Sequence, residues 1–368
     1  IRIGNTNPYS GPASSYGTIG KGIQACFDMV NDGGGINGRK LEFVSLDDAY
    51  SPPKTVEQVR KLVEKEKVAF LFQTLGTPTN TAIHKYVNGK KVPHLFVATG
   101  AGKWGQPEKF PWSMGWQPSY PTEARIYASY IQENAANPRI AVLYQNDDYG
   151  KDYYHAFREA FGADADQLIV AAEPYETSDP TVDSQIVKLA ASDANVFFNV
   201  TIPKFASQAI RKAYDIGWKP LHFLNNVSSS IGSVLEPAGL DKSVGIITAL
   251  YLKDPTDPQF AQDADYKAWV AWMDEYYSAG DKTNSFNAYA YAVCHTLTHV
   301  LNEAGDDLSR ANIMAAAANV KDLEVPMLLP GIKVDTGPND FYPIEAMQLA
   351  KFDGKIFKRF GDIIDVGK

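Results

Sequence analysis

The side chains able to do chemistry are scattered along this sequence and form no reactive cluster. His295 and His299 are four residues apart, the spacing at which one helix face can offer two imidazoles to a metal. The intervening Thr296-Leu297-Thr298 supplies no glutamate to activate a water, so the pair reads as the polar edge of a core helix. Asp47-Asp48, Asp147-Asp148 and Asp306-Asp307 are paired carboxylates, but each follows an expected strand or helix end, where turns favour aspartate. Neighbours on a strand face opposite ways, so such pairs do not by themselves make an acid–base couple. The glycines at 17, 20 and 22 lack the dinucleotide-binding spacing. No phosphate-cradling loop ending in Gly-Lys-Ser/Thr occurs, and no nucleophile elbow. The expectation is a non-enzyme without metal or cofactor.

Binding chemistry is legible instead, in the residues that follow the expected strands. In open α/β sheets, ligands sit beyond the carboxyl ends of the strands. Beyond 69–73 comes Thr74-Leu75-Gly76-Thr77-Pro78-Thr79-Asn80, which opens a helix. A helix N-terminus with nearby hydroxyls suits a carboxylate. Beyond 94–98 comes Thr99-Gly100-Ala101-Gly102, small enough for an anion to approach the backbone. Aromatic side chains follow elsewhere: Tyr16 after Ser10-Gly11-Pro12, Tyr149 after Asn146-Asp147-Asp148, and Phe286 at the start of a long helix. Aromatic walls with a few polar anchors are the usual lining of a small-molecule cleft.

The elements that must position these residues alternate. Short β-rich runs are expected at 41–46, 69–73, 94–98, 139–144, 168–172, 196–200, 222–224 and 244–249, and residues 1–4 already alternate like a strand. Several are apolar throughout, as in strands covered on both faces of a parallel sheet. Between them, apolar residues recur at helical spacing over 20–31, 53–64, 122–134, 150–161, 182–191, 205–216, 258–278 and 284–304. This alternation predicts doubly wound α/β sheets with right-handed crossovers. At 368 residues, two such sheets fit better than one.

Composition narrows the partners. With 35 Lys and Arg against 43 Asp and Glu, the chain is acidic, which argues against nucleic acid. The longest apolar helical run, around 288–301, is interrupted by polar side chains and reads as a core helix, short of the ~18 to 20 apolar residues that span a bilayer. Cys26 and Cys294 both sit in apolar helical runs. The burial habits of cysteine predict buried thiols, with their pairing left open.

Four segments together resemble the branched-chain amino-acid type of bacterial solute-binding protein. They are Asn7-Pro8-Tyr9-Ser10-Gly11-Pro12 with Tyr16-Gly17; Val30-Asn31-Asp32 through Ile36-Asn37-Gly38-Arg39-Lys40-Leu41; Leu46-Asp47-Asp48-Ala49 with Pro52; and Asn146-Asp147-Asp148-Tyr149-Gly150. Their order and spacing hold across nearly the whole chain. The resemblance implies a type I periplasmic binding protein fold: two doubly wound α/β lobes, joined by three crossovers, that close over a ligand. One lobe would combine residues 1–120 with 251–330 and the other 121–250 with 331–368. The implied hinges are 115–121, 251–255 and 328–337. It also implies a monomer outside the cytoplasm, free or lipid-tethered, whose signal peptide is not in this sequence. Such proteins deliver a small solute to the membrane permease of an ABC transporter.

In amino-acid-binding relatives, the solute carboxylate is held after the third and fourth strands. Thr77 falls at the first of these places, and Ala98, Thr99, Gly100, Ala101 and Gly102 at the second, with Gly102 standing where a Ser or Thr is common. Tyr16, Tyr149 and Phe286 match aromatics that cover the ligand. Relatives that bind α-amino acids place a carboxylate after the strand corresponding to 222–224; here Val227 is the closest match, beside Asn225 and Asn226. An aromatic hydroxyl usual after 196–200 is replaced by Thr201-Ile202. A disulfide common between the second and third loops is replaced by Tyr50 and Gly76. A buried ammonium without its anion is costly. The expected solute is therefore an acid lacking an α-amino group, aromatic or otherwise bulky, with Asn225, Asn226 or Thr201 available to a far-end hydroxyl and Trp104, Trp116 and Tyr120 as further wall. The alternative is a branched-chain amino-acid or small-amide carrier whose ammonium partner is Asp48 or Glu123. A ligand-sensing regulatory module is the more distant alternative.

Overall fold

The computed structural model describes residues 1–366. The chain opens with strand β1 (Arg2–Asn7), helix α1 (Gly17–Asp32), β2 (Glu42–Asp47), α2 (Pro52–Arg60), β3 (Phe70–Phe72), α3 (Thr77–Gly89), β4 (His94–Val97) and β5 (Ser113–Gly115). It continues through α4 (Tyr120–Asn134), β6 (Ile140–Gln145), α5 (Asp148–Phe161), the short α6 (Ala165–Leu168), β7 (Ile169–Tyr175), α7 (Asp183–Ala190), β8 (Val196–Val200), α8 (Pro203–Asp215), β9 (Leu221–Leu224), the single turn α9 (Glu236–Ala238) and β10 (Ile247–Leu250). Three helices follow, α10 (Ala264–Tyr276), α11 (Ser285–Ala304) and α12 (Arg310–Ala317). The last strands are β11 (Ala346–Phe352), β12 (Phe357–Arg359) and β13 (Ile364–Asp365).

Two units share these elements. Unit 1 is Ile1–Pro118 with Leu252–Glu345, and unit 2 is Ser119–Tyr251 with Ala346–Lys368. The third passage between them lies beyond the segment 328–337 where a hinge was expected. Residues 331–345 stay with unit 1 because Val334 pairs with Leu323, the Thr336 hydroxyl donates to the Ala317 carbonyl, and the Tyr342 hydroxyl donates to the Gly102 carbonyl.

Unit 1 holds a sheet in the order β2-β1-β3-β4-β5, parallel throughout. The order reverses at β1/β3, and the loops leaving those two strands carry Tyr16 and Thr77. In unit 2 the order is β12-β11-β10-β9-β8-β6-β7, with β13 on β11. The strands from β6 to β10 are parallel and reverse at β6/β8; Tyr149 opens the helix after β6 and Thr201 lies in the loop after β8. The last three strands, which were not among the expected runs, are antiparallel. The backbone turns back at Asp353, whose carboxylate accepts from the Lys355 and Ile356 amides. That tight turn leaves no room for a crossover helix.

Local chemistry explains the helix starts. Pro52 and Pro53 occupy the first helical positions of α2, where a missing N–H is harmless. Ser119 caps α4 by accepting from the Thr122 amide (3.1 Å), and Asn284 caps α11 by accepting from the Phe286 amide (3.1 Å). The helix expected from 258 begins only at Ala264, because Asp257 accepts from the Gln259 amide and closes a separate short turn first.

The two cysteines are a correction. Cys26 on α1 and Cys294 on α11 are both fully buried and form a disulfide, with Cα atoms 6.5 Å apart. Helices α1 and α11 pack against each other, which brings residues 268 positions apart within bridging reach.

Candidate ligand-binding residues of the two lobes

In unit 1 the structure brings two pairs of expected residues together. Thr77 begins α3, which has Gly76 at its cap position; the Thr77 and Thr79 amides, on either side of Pro78 with no N–H of its own, take no side-chain cap. The Thr77 hydroxyl lies 2.6 Å from that of Thr99, and both residues are buried. Thr99 Oγ1 also accepts from the Ala101 amide (3.3 Å) and the Trp104 indole (3.4 Å). The loops carrying the two threonines are joined by backbone bonds from Gly76 to Ala98 and from Ala98 to Thr74. The result is a patch of hydroxyls and amide donors at the carboxyl ends of β3 and β4. Ala98, Gly100 and Ala101 are buried with it, and Gly102, half-buried, accepts from the Tyr342 hydroxyl through its carbonyl. Tyr16 and Phe286 form the second pair, with ring centroids 5.1 Å apart.

A buried polar network lies behind the threonines. Thr74 Oγ1 donates to Asn80 Oδ1 (2.6 Å) and lies 2.5 Å from His94 Nε2, while Asn80 Nδ2 donates to the Thr74 and Gly76 carbonyls. Burial lowers the His94 pKa to about 3, so the imidazole is neutral and bonds as a fixed element of the frame. Gly76 sits at φ 99°, and a Cβ there would lie 2.4 Å from the Tyr50 ring. Tyr50 thus packs against the place where relatives of the resemblance carry a cross-link.

Asp47 and Asp48 prove to be turn residues. Asp47 accepts from the amides of Tyr9, Ser10 and Ala49 and pairs with Lys54 at 3.0 Å, tying the first loop to the second. Burial pushes its pKa up, but the Ser10 and Ala49 donors and Lys54 outweigh that and hold it well below the usual carboxylate range. Asp48 accepts from the Tyr50 amide and the Thr55 hydroxyl, and burial raises its pKa to about 6.

Unit 2 assembles a larger network. Tyr149 packs against Tyr120 (5.3 Å) and Tyr153 (5.7 Å), and its hydroxyl accepts from Asn225 Nδ2 at 2.6 Å. Asn225 Oδ1 accepts from the Thr201 amide, and Thr201 Oγ1 donates to Asn199 Oδ1. Tyr175 comes from the end of β7, and its hydroxyl accepts from the Ile202 amide (3.1 Å). An aromatic hydroxyl therefore does reach the loop after β8, delivered by a neighbouring strand. Asn226 donates from Nδ2 to the Ala249 carbonyl, and Val227 is half-buried.

Glu123 is the residue sequence reasoning underrated. Its Oε1 accepts from the Tyr127 hydroxyl (2.7 Å) and the Asn226 amide (2.6 Å), and its Oε2 accepts from the Tyr153 hydroxyl (2.5 Å). Burial raises its pKa to about 7 against the three hydrogen bonds, which lower it. Its carboxylate ties α4, α5 and the loop after β9 together. The only signal in the sequence was an acidic residue in the first turn of a helix already rich in tyrosine.

Trp104 and Trp116 pack within unit 1. Both are buried, Trp104 packed on His84 (4.8 Å) and Trp116 on Tyr289 (5.1 Å), with the Trp116 indole donating to Thr296. His295 packs edge-on to Tyr291 at 4.4 Å. Among the described residues there is no cluster of three or more metal-binding side chains. No helix of the described residues is long and apolar enough to cross a membrane.

The profile of the periplasmic binding protein family matches residues 1–355. An amino acid binding protein of Pseudomonas aeruginosa is 22% identical over 311 residues, covering 83% of this chain and 79% of its own. Leu/Ile/Val-binding protein homolog 1 of Brucella abortus is 23% identical over 319 residues, with the same two coverages. Among solved structures, a substrate-binding periplasmic protein of Ralstonia solanacearum superposes with TM-score 0.88 at 22% identity, covering 98% of this chain and 100% of its own. A branched-chain amino-acid ABC transporter protein of Thermus thermophilus with bound valine gives 0.88 at 14% identity, over 100% and 97%. A fatty acid ABC transporter substrate-binding protein of Thermomonospora curvata gives 0.80 at 19%, over 98% and 92%. With two α/β units on discontinuous stretches and a profile match along almost its whole length, this chain belongs to the periplasmic binding protein family.

Proposed function

We propose that this chain is the extracytoplasmic solute-binding component of an ABC importer and that its solute is a small carboxylate, a branched-chain α-amino acid being the first class to test. The observation that carries the carboxylate is the Thr77–Thr99 hydroxyl pair at the uncapped N-terminus of α3. The Leu/Ile/Val-binding and amino acid binding relatives support the amino-acid class, and Tyr16 and Phe286 supply apolar cover on the same unit. Tyr149, Thr201, Asn226 and Val227 are the proposed contribution of unit 2. The Cys26–Cys294 disulfide suits an oxidising compartment. Delivery to a membrane permease as a monomer completes the proposal; a sensing role would share the same site.

A second reading, an acid without an ammonium group and aromatic or otherwise bulky, rests on a specific observation. Both oxygens of Glu123 and both of Asp48 already accept protein donors, and Val227 follows Asn226 where an anion would be wanted. The fatty acid binder of similar fold supports this class. A thermal-shift screen separates the two readings. Leucine, isoleucine and valine are run beside benzoate, phenylacetate, cinnamate and aliphatic monocarboxylates. A ligand at a hundredfold excess over its dissociation constant stabilises by ~3 kcal/mol. A shift with leucine or valine establishes the first reading. A shift with the acids alone replaces it with the second, and no shift with either class overturns the carboxylate assignment.

A further inference from the structure

Charge is unevenly distributed over this acidic chain. Residues 54–109 carry ten Lys or Arg against four Asp or Glu, although the whole protein has a net charge of −8. The apolar sides of α2 and α3 meet in a cluster that includes Val59, Leu62, Leu71, Ile83 and Val87, which turns their other sides to solvent. Arg60 at the end of α2, Lys61 and Lys65 in the helical turn that follows it, Lys67 beyond that turn, Lys85 on α3, and Lys90 and Lys91 just past α3 are all exposed. No ion pair among the described residues involves any of the seven; of the acids beside them, Glu64 accepts from the Tyr86 hydroxyl and Glu66 pairs with Arg2, while Glu57 on α2 is exposed. Arg60 at the end of α2 and Lys90 just past α3 lie 5.8 and 5.9 Å from the ring of Tyr86 on α3, which brings the two ends of the patch together. Arg310 donates to the carbonyls of Val68, Ala69 and Lys90, which ties the turn after Lys67 to the turn that holds Lys90 and Lys91.

We propose that this face of unit 1 is an electrostatic contact surface for anionic phospholipid headgroups. The side-chain types select that partner over a protein. Six of the seven cations are lysine, a compact, strongly hydrated charge that needs no directional partner. Protein interfaces are instead depleted in lysine and anchored by aromatic residues and arginine. The large hydrophobic side chains that stand exposed, such as Val187, Tyr214 and Val244, all lie outside residues 54–109. Anionic lipid attracts clustered lysines through charge alone, within about a Debye length. The inference stands whatever solute the protein carries.

The test is co-sedimentation of the whole chain with vesicles of phosphatidylcholine, with and without phosphatidylglycerol, at low and physiological salt. Wild type is expected on the phosphatidylglycerol vesicles at low salt, with binding falling as salt rises. The variant Lys61→Glu/Lys65→Glu/Lys90→Glu/Lys91→Glu should lose at least about tenfold in partitioning. Its melting temperature, and any solute-induced shift, should stay as in wild type. The control Lys351→Glu/Lys355→Glu, on unit 2, should bind like wild type. Equal binding to neutral vesicles, a quadruple variant that binds undiminished, or a control that loses as much would overturn the proposal. Because solute binding is read separately, its failure would leave this result unaffected.

Discussion

A hydroxyl and a buried carboxylate give the sharpest residue-scale tests. If Thr77 holds the solute carboxylate, Thr77→Ala should weaken binding by about 1–3 kcal/mol in calorimetric titration, with little change in melting temperature. Unchanged affinity would remove Thr77 from the site. Glu123 predicts a pH signature. Its folded pKa is raised to about 7, above the ordinary value of 4.5, so the folded state holds the proton more tightly than the unfolded chain. Stability from that difference is fully present below pH 4.5 and is lost as pH rises through 7. Glu123→Gln cannot lose a proton, so the variant should gain on wild type by about 3 kcal/mol between pH 4.5 and 8. Paired denaturant titrations at those pH values measure it, and a constant difference would show that Glu123 stays ionised. Neither residue's partners were equally legible. Thr77 announces itself by following an apolar strand and opening a helix. The donors to Glu123 come from Tyr127, Tyr153 and Asn226, and only the folded backbone brings Asn226 to it, 103 residues away.

At the scale of elements, the alternating strands and helices were readable because strands covered on both faces are apolar runs and the helices between them carry apolar stripes. What escaped has little such pattern. β5 is three residues long, and β11 interleaves lysine and glutamine with buried positions as it turns back antiparallel. The pairing of α1 with α11 was equally hidden, since no local signal links residues so distant in sequence. Their disulfide should be a stabilising tie: Cys26→Ala/Cys294→Ala is expected to cost about 2–5 kcal/mol in denaturant unfolding. A midpoint within error of wild type would mean that packing of the two helices alone suffices. The cap of α3 is a second element-scale test. Gly76 is at φ 99°, and a Cβ would meet the Tyr50 ring at 2.4 Å and Thr79 Oγ1 at 2.7 Å. Gly76→Ala should therefore cost about 1–3 kcal/mol and disturb the start of α3. It should weaken solute binding together with stability, whereas Thr77→Ala lowers affinity alone.

For the molecule as a whole, the chain passes between units at Pro118/Ser119, Tyr251/Leu252 and Glu345/Ala346, so neither unit is a continuous stretch of sequence. That is why composition shows no linker. The third passage was misplaced because residues 331–345 have little periodicity, and their membership is decided by scattered bonds such as Thr336 to Ala317. Each unit nevertheless has its own sheet, and among the described residues no strand of one pairs with a strand of the other. The disulfide lies wholly within unit 1 and the Glu123 network wholly within unit 2. Their energetic effects should be separable. In hydrogen exchange followed by mass spectrometry, Cys26→Ala/Cys294→Ala should lower protection in peptides covering α1, β1 and α11. Peptides covering β6 and β8 should keep the wild-type value. Glu123→Gln above pH 7 should do the reverse, raising protection around α4 and β9 and leaving α1 unchanged. Locally confined changes are expected where units open independently, below the global transition. If either variant moved both sets of peptides equally, the two units would unfold as one cooperative block, and the three passages would couple them more tightly than their separate sheets imply.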